Sequence, residues 1–388
     1  MSVKHSPNDR LRGTLSSAEQ QLLDATSNLV RDTIGPMAAQ WEAERTMAID
    51  ALRQAGEIGI TRMQVPESHG GMGASFRTKA AVAELLAQAD FGFSMSAINT
   101  HNVAAKLAID APESVAAEFV PDLIRADRIG CTALTEPGAG SDFSSIATTA
   151  VKDGSGWRIN GHKAWITNAA QASVVVMYVQ TDPNRGGNGI AGFVIDGRRA
   201  GFSREPAYVM AGQHSIGAGG FLLTDYQATG DELILAPGEA FKSALGSING
   251  ARIYVAAMCC GMLASALDSA AQYGLSRQTF GVNLHGHQGW RWTLSEAAAE
   301  LYAAQQLVDS VAARLDAGED LRFEAAKTKV FATRMAERHL GAMMQAMGAE
   351  GLRARYPLAR HQVGVRMAGF VDGSTEILLD RIASEMSK

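Results

Sequence analysis

The chain has 388 residues, of which 46% are hydrophobic, and a formal net charge of −5 at pH 7. This length and composition allow a large buried core and suggest two or three domains. The slightly negative net charge gives no sign of a positively charged surface for DNA or RNA and therefore disfavours nucleic-acid binding.

The cysteines and the first residues indicate the cellular environment. Cys131, Cys259 and Cys260 form neither a CxxC pair nor a His/Cys metal spacing, so we expect no disulfide framework and no metal site. The opening MSVKHSPNDRLRG lacks the apolar segment of an export signal, and no charge-free apolar run reaches the roughly 18 residues of a membrane span. We expect a cytoplasmic protein with no membrane partner.

The first part of the chain, from residue 16 to about residue 128, has the periodicity of helices. Ser16 and Glu19 match a capping box, which marks a helix start, and apolar residues follow at helical spacing. A further helix is indicated by VAAEFVPDLI (115–124). We predict an N-terminal α-helical domain over residues 1–128.

The pattern changes between residues 129 and 236, where short β-type runs alternate with turns. SVVVMYV (173–179) and AGFVID (191–196) are typical of strands, and KDGSGW (152–157) predicts a hairpin turn. We predict a middle β domain over residues 129–236.

Helical periodicity returns from about residue 239. The segment IYVAAMCCGMLASAL (253–267) is too short and too rich in small residues for a membrane span, so we predict a helix buried on most sides. The methionines at helical spacing over 331–347 are typical of core filling. We predict a C-terminal α-helical domain over residues 237–388 and an α+β class for the chain.

The common catalytic signatures are missing from this sequence. It contains no GxxxxGK[ST], HExxH or GxSxG motif and no GxGxxG between a strand and a helix, which disfavours kinase, zinc-protease, α/β-hydrolase and Rossmann functions. His285 and His287 lie two residues apart without a third ligand nearby. We interpret them as surface or hydrogen-bonding residues rather than as a metal site.

The stretch 131–170 is the richest in candidate ligand groups. Gly138 and Gly140 allow backbone N–H groups to approach a ligand closely. Trp165 and Thr167, two apart on a predicted strand, should point to one face and offer a stacking surface and a hydroxyl donor. This pattern suits a polar or anionic planar cofactor. Taken alone, it is better explained as an ordinary β-sheet with a glycine-rich turn.

Four motifs together resemble the acyl-CoA dehydrogenase family, in its order and spacing and over nearly the whole chain. The resemblance implies an N-terminal helical domain, a middle β-barrel-like domain and a C-terminal four-helix bundle. It also implies an FAD-dependent enzyme that oxidises the α,β-bond of an acyl thioester. The motifs are VPESHGGMG (65–73), LTEPGAGSD (134–142), GHKAWITN (161–168) and SRQTFG (276–281).

The resemblance also implies cofactor contacts, position by position. Thr135 and Thr167 correspond to hydrogen-bond donors to the flavin ring, Trp165 to the indole packed against it, and Ser141 to a contact with cofactor phosphate. Other positions correspond to residues that reach the FAD of a neighbouring subunit or complete the site, which implies a homotetramer, with a dimer as the alternative. These further FAD contacts are Arg277, Thr279, Phe280, Gln345, Gly348, Ser374 and Glu376.

Asp372, in GFVDGSTEI (369–377), corresponds to the family's catalytic glutamate, which takes the substrate α-proton. Some members carry that glutamate just before the arginine that corresponds to Arg252, but here Ala251 precedes it. Arg252 and Ser141 are implied as substrate contacts. In the family, a flavin ribityl hydroxyl and the base's own N–H bind the thioester carbonyl, and burial under the flavin is expected to raise the pKa of the base.

An aspartate leaves two interpretations of this position open. Its carboxylate reaches roughly 1.5 Å less far than that of a glutamate, so the backbone or the substrate must compensate. Otherwise Asp372 is a structural acid at the start of the next helix, where a carboxylate is favourable.

Three functions stay open at this point. The first is a dehydrogenase for acyl-CoA or an acyl-carrier-protein thioester that passes electrons to an electron-transferring flavoprotein. The second is a flavin oxidase similar to the nitroalkane-oxidising members, which pair an aspartate base with an arginine seven residues on, where this chain has Leu379. The third is a non-catalytic FAD-binding scaffold. Four arginines fit coenzyme A phosphates, an acidic carrier or simply a solvated face, namely Arg353, Arg355, Arg360 and Arg366.

Overall fold

The structure, a computed structural model, describes residues 6–386. Its N-terminal part consists of seven α-helices, with a π-helical turn over Val30–Ile34 between the second and the third. The predicted capping box is confirmed, because the Ser16 side chain accepts from the Glu19 N–H and Glu19 accepts from the Ser16 N–H. The helices are α1 Pro7–Arg10, α2 Ser17–Leu29, α3 Gly35–Glu44, α4 Ile49–Glu57, α5 Phe76–Ala87, α6 Phe91–Asp110 and α7 Glu113–Ile124.

The middle part is an eight-stranded sheet with the order β6-β7-β3-β2-β4-β5-β8, and β1 pairs with β4 in parallel. The predicted hairpin is confirmed, since β2 and β3 pair antiparallel from Thr149–Asn160 to Asp153–Gly156. The strands are β1 Gly130–Ala133, β2 Thr149–Asp153, β3 Gly156–Ile166, β4 Val174–Gln180, β5 Ile190–Asp196, β6 Phe202–Arg204, β7 Gly219–Ala228 and β8 Leu233–Leu235.

Strand β4 is buried along its whole length because both of its faces are covered. Its even-numbered residues from Val174 to Tyr178 pack in a cluster with residues of α6 and α7. Its odd-numbered residues from Val175 to Val179 belong to the main hydrophobic core. The sheet is thereby fixed against the N-terminal helices, which places the end of β1 beside α6.

The C-terminal part is helical, with a small hairpin after its first helix. Helix α8 packs on α5, α9, α10 and α11, and α12 lies against α10. The elements are α8 Ala240–Ser276, β9 Gln278–Thr279, β10 Val282–Asn283, α9 Gln288–Asp316, α10 Arg322–Met347, α11 Leu358–Phe370 and α12 Thr375–Met386.

Helix α8 is the one helix within residues 6–386 that is long and apolar enough to cross a membrane by length and composition. However, 78% of its most apolar window is buried inside the fold. Every residue from Ile253 to Leu263 is buried, which confirms the prediction of a helix covered on most sides. The neighbouring helices therefore shield this apolar surface.

The α–β–α order predicted for the chain is confirmed. The N-terminal helices end at Ile124, the strands run from Gly130 to Leu235, and α8 begins at Ala240. The exact domain limits of 1–128, 129–236 and 237–388 stay a prediction, and residues 1–5 and 387–388 lie outside the described residues.

Candidate active site

A cavity of about 560 Å³ lies where the three parts of the chain meet. Helices α5, α6 and α8 form one side of it, and the segments that follow β1 and β3 form the other. Asp372, between α11 and α12, also lines the cavity. The structure thus brings together four of the residues that the sequence singled out, namely Thr135, Trp165, Thr167 and Asp372.

Asp372 lies in a tight turn between α11 and α12. Its φ is +54° and that of Gly373 is +96°, so the chain passes through two consecutive left-handed residues. Glycine adopts this conformation freely, and aspartate tolerates it better than most side chains. The turn directs the chain from α11 into α12 and presents Asp372 to the cavity.

Two cationic side chains hold this turn by its carbonyl groups. Lys329, on α10, donates through Nζ to the carbonyl of Val371 and, at 2.7 Å, to that of Gly373. Arg252, on α8, donates through Nε to the carbonyl of Asp372 at 3.1 Å. Three successive carbonyls are therefore bound to buried cations. Because charge-assisted hydrogen bonds are stronger than neutral ones, they fix the backbone of the turn.

The electrostatics of the turn are set by burial. Burial raises the pKa of the Asp372 carboxyl above its usual value, and the positive charges of Lys329 and Arg252 oppose that rise. Burial also lowers the pKa of Lys329 to about 8, with attraction to Asp372 acting in the opposite direction. Burial thus favours the protonated form of the Asp372 carboxyl, while the two nearby positive charges favour the ionised form.

The polar groups of Asp372 other than its carbonyl are left for a ligand. Neither its backbone N–H nor its carboxylate hydrogen-bonds to another residue within 6–386. The structural alternative, in which the carboxylate accepts backbone N–H groups at the start of α12, is therefore not what the structure shows. One residue offers the cavity a proton acceptor and a hydrogen-bond donor.

Trp165 and Thr167 line the cavity, but not for the reason that strand alternation predicts. The β3–β7 register shifts between Lys163 and Ile166, and Trp165 has a φ of +59°. Ile166, between the two, lines the same cavity. The prediction that Trp165 and Thr167 share one face is confirmed, because both line this cavity. The strand is irregular at this end, so simple alternation does not account for the arrangement.

Asn168 anchors this bulge. It is fully buried, has a φ of +67°, and donates through Nδ2 to the carbonyls of Ser96 and Gly130 at 3.0 and 2.9 Å. It also donates to the Thr100 hydroxyl at 3.2 Å and accepts from the Ser96 hydroxyl. These bonds tie the end of β3 to α6 and to β1, and so position Thr167.

The glycine-rich loop after β1 lies outside the cavity. Ser141 is exposed and does not line it, and no atom lies near the Cβ position of Gly138 or Gly140. The start of the loop is fixed by Glu136, which accepts from the buried Lys163 ammonium at 2.7 Å. The loop therefore presents open backbone near the surface, as a contact to a phosphate requires.

The residues predicted to reach a neighbouring subunit's cofactor lie away from this cavity. Arg277 lines a separate cleft of about 880 Å³, together with Tyr273 and Arg355. Phe280 is 98% exposed, and Thr279 hydrogen-bonds through its hydroxyl to His287 Nε2 at 2.9 Å. The remaining predicted contacts lie at or near the surface, namely Gln345, Gly348, Ser374 and Glu376.

Comparison with known proteins identifies the family. Family models described as the N-terminal, middle and C-terminal domains of acyl-CoA dehydrogenase match residues 16–127, 131–226 and 238–387. The chain belongs to the acyl-CoA dehydrogenase family. It is 30% identical over 376 residues to the mitochondrial short-chain specific acyl-CoA dehydrogenase of Bos taurus, covering 96% of this chain and 91% of the relative.

Solved structures of the same architecture extend this comparison. Butyryl-CoA dehydrogenase from Megasphaera elsdenii superposes with a TM-score of 0.92 at 25% identity, covering 96% of this chain and 99% of that one. A chain from a study of the electron transferring flavoprotein of Acidaminococcus fermentans has the same score and identity, with coverage of 96% and 98%. The predicted fold class is confirmed, and the protein is an FAD-dependent oxidoreductase that acts on CH–CH groups.

The residues of this family member fit a flavin at the cavity. Trp165 is 66% exposed, packs on one side against Tyr208 with ring centroids 4.8 Å apart, and leaves a large aromatic face uncovered. The threonines Thr135 and Thr167 bring two hydroxyl groups to the same cavity. An exposed indole beside two hydroxyls is the donor set that a planar, hydrogen-bonding ring system requires.

The four arginines considered for coenzyme A or carrier contacts have protein partners. Glu350 pairs with both Arg353 and Arg355, and Arg366 pairs with Glu337. Arg360 is largely buried, lies 4.0 Å from Asp90 and donates to the Ala354 carbonyl. Each of the four is therefore engaged by another residue of the same chain.

Several residues of the site were missed from the sequence. Lys329 lies on α10, 42 residues before Val371, whose carbonyl it binds, so periodicity alone could not assign it. Lys79 carried a signal, since it lies among small and apolar residues of α5 that are all buried, and it lines the cavity. A lysine is rarely buried without a partner, so one within a buried helix face indicates a ligand or a counter-charge.

Proposed function

We propose that this protein is an acyl-CoA dehydrogenase in which Asp372 removes the α-proton of the acyl thioester. The observation that supports this proposal is that Asp372 lines the cavity while its carboxylate and its N–H have no hydrogen-bond partner among the described residues. The carboxylate is the proton acceptor. The N–H is the donor to the thioester carbonyl, on which negative charge develops as the proton leaves.

The turn makes the shorter aspartate effective. Lys329 and Arg252 fix the backbone of residues 371–373, so the carboxylate does not have to be positioned by a longer side chain. The raised pKa of the Asp372 carboxyl lies closer to the pKa of the substrate α-C–H, which makes proton transfer less unfavourable. Both effects favour proton transfer at a fixed position.

The reaction is an oxidation of one carbon–carbon bond. Bound FAD supplies the acceptor for the hydride that leaves the β-carbon. The α-proton goes to the Asp372 carboxylate, and the electron pair of the broken Cα–H bond forms the new double bond. Thr135, Trp165 and Thr167 are proposed to hold the flavin ring. Ser141 is proposed to contact a cofactor phosphate and the substrate. Arg252 is proposed to act on the substrate indirectly, by holding the turn at Asp372.

The cofactor site is proposed to be completed by a second subunit. Arg277, Phe280, Gln345 and Gly348 lie outside the Asp372 cavity, and the 98% exposure of Phe280 leaves an apolar ring for a neighbour to cover. A homotetramer is the proposed assembly, with a dimer as the smaller alternative. An electron-transferring flavoprotein is the proposed electron acceptor. The three buried free thiols agree with a cytoplasmic location.

Anaerobic reduction of the flavin tests the proposal. The purified FAD-loaded protein is mixed with a panel of acyl-CoA thioesters and followed by its visible absorbance, beside the Asp372→Asn variant. We expect bleaching by some thioester, slowed in the variant by about 10²–10⁴-fold, the usual contribution of a general base. Loaded protein that no thioester bleaches would contradict the proposal, and rapid reoxidation by O₂ would indicate an oxidase instead.

A further inference from the structure

Lys79 has no counter-charge in the described structure. It lies on α5, lines the cavity and is 7% exposed. Within residues 6–386 its ammonium forms no ion pair and no side-chain hydrogen bond. Its contacts are aromatic, with Nζ 5.4 Å from the centre of the Phe76 ring and 5.2 Å from that of Tyr254. A buried charge without a partner is costly, so this lysine calls for a ligand.

The other charged groups of the cavity either have a partner or serve the proposed reaction. Lys106 bonds Asp110 at 2.6 Å and the Ser243 hydroxyl at 3.0 Å. Asp372 interacts electrostatically with Lys329 and Arg252, which hold its turn. Lys79 is therefore the one lysine at the cavity that lacks a hydrogen-bonded or ion-paired partner among the described residues.

Tyr254 adds a second donor beside Lys79. Its hydroxyl oxygen accepts from Asn102 Nδ2 at 3.2 Å, which leaves the hydroxyl hydrogen free to donate. Burial raises the pKa of Tyr254, so the phenol stays neutral and keeps that hydrogen. The Lys79 ammonium and the Tyr254 phenol therefore bring two hydrogen-bond donors to the same part of the cavity.

The donor pair lies toward one end of the cavity wall that α8 forms. Ser243 and Tyr254 both line the cavity from α8, and eleven residues of helix correspond to about 16 Å along its axis. Lys106 reaches the Ser243 end, whereas Lys79 lies at the Tyr254 end, under Phe76. An acyl chain that runs along α8 would bring its far end to Lys79.

We propose that the acyl group of the substrate ends in a carboxylate, which binds to the Lys79 ammonium and the Tyr254 hydroxyl. This inference rests on the proposed function and names its substrate class, the coenzyme A mono-thioesters of dicarboxylic acids. The carboxylate supplies the ionic partner that Lys79 lacks among the described residues. A purely hydrocarbon tail would leave the lysine buried beside it without a partner, at a cost in binding.

Burial lowers the pKa of Lys79 to about 7, which gives the proposal a second signature. A bound carboxylate favours the charged lysine, so the complex should take up a proton when it forms above that pH. The titratable groups that face this end of the cavity are His101, Tyr254 and Asp372. His101 is held neutral by burial and by the nearby lysine charge, since both lower its pKa.

Direct binding to the Asp372→Asn protein, whose flavin is expected to be reduced only slowly, tests the inference. Matched pairs are compared by calorimetry, each pair being a dicarboxylic mono-thioester and the simple acyl-CoA of equal carbon number, from four to eight carbons. We expect the carboxylated member of at least one pair to bind about 10-fold or more tightly, as hydrogen bonds to charged groups imply. Repeating the titration at pH 8 in two buffers of different ionisation enthalpy measures proton uptake.

The added variant Lys79→Met removes the ammonium but keeps the side-chain length. It should abolish both the preference and the proton uptake while the simple acyl-CoA still binds. Lys106→Met is the matched control, because that lysine is already paired, and it should leave the ratio within a pair unchanged. FAD content and thermal unfolding of each variant verify that it folds.

The outcomes separate the two claims. Suppose that a simple acyl-CoA bleaches the flavin of the wild-type protein, but both members of every pair bind with equal affinity. This result would overturn the carboxylate inference alone. A preference that survives Lys79→Met would overturn it as well. If no thioester binds and none bleaches the flavin, the proposed function itself fails and the inference fails with it.

Discussion

Lys329 binds the carbonyl groups on both sides of Asp372 and leaves the Asp372 carboxylate free. The lysine is 1% exposed and lies on α10, so its position is set by helix packing rather than by the turn that it holds. A rigid helix thereby determines where the proposed base points. The relationship explains how a turn of two left-handed residues can present a side chain reproducibly.

Replacing Lys329 should impair catalysis more than cofactor binding. In Lys329→Met the carbonyls of Val371 and Gly373 lose their donor, and a displacement of the carboxylate by about 1 Å costs on the order of 10²-fold in rate. The rate of anaerobic flavin reduction measures this loss, and FAD content should stay near that of the wild type. The control is Lys327→Met on the same helix, which removes only the partly exposed pair with Glu385. Equal rates for Lys329→Met and wild type would contradict the positioning role.

The pH dependence of flavin reduction should have an acidic limb set by Asp372. Only the ionised carboxylate accepts a proton, so the rate falls as pH decreases through the pKa of Asp372 in the folded protein. Because burial raises this pKa, the limb should lie above the ordinary aspartate value of 3.8. The limiting rate of reduction against pH gives the midpoint. A rate that stays flat down to that ordinary value would argue against a raised pKa of the base.

The elements of this fold were predictable wherever one local rule decided them. The capping box at Ser16 and Glu19, and the apolar run that forms β4, depend on neighbouring residues alone. The irregular end of β3 at Trp165 was not predictable in this way, because it lies beside Asn168, whose bonds reach α6 and β1, distant in sequence.

The candidate site shows the same limit. Asp372 was found because it matches a motif position, whereas its partners Lys329 and Arg252 act through backbone carbonyls, and such bonds leave no pattern in the sequence. The role of Lys79 depends on a missing partner, and an absence of that kind becomes visible only once the surrounding helices are packed. Motif spacing identifies the reacting group, while tertiary structure supplies the residues that position it.

Trp165 should contribute to FAD binding and little to the stability of the apoprotein. Its side chain is 66% exposed, so Trp165→Ala removes few core contacts but deletes the aromatic face at the cavity. We expect FAD to bind about 10-fold more weakly, since aromatic packing combined with apolar burial contributes one to two kcal/mol. Fluorescence titration of the apoprotein with FAD measures the affinity.

Trp292→Ala is the control, because that tryptophan is 60% exposed on α9 and away from the cavity. Equal weakening by the two variants would show a general effect of losing a surface tryptophan.

Asn168 should be essential to the stability of the junction between the sheet and the N-terminal helices. Asn168→Ala leaves the carbonyls of Ser96 and Gly130 without their buried donor and places alanine at a φ of +67°. An unsatisfied buried group costs about 1–3 kcal/mol, and left-handed strain adds about 1–2 kcal/mol, so the free energy of unfolding should fall by about 2–5 kcal/mol. Denaturant unfolding of the apoprotein gives the value. Gln171→Ala, an exposed change in the same turn, should lie within about 0.5 kcal/mol of wild type. If both variants unfold like the wild type, the junction is held by packing alone, and the position of Thr167 would need another explanation.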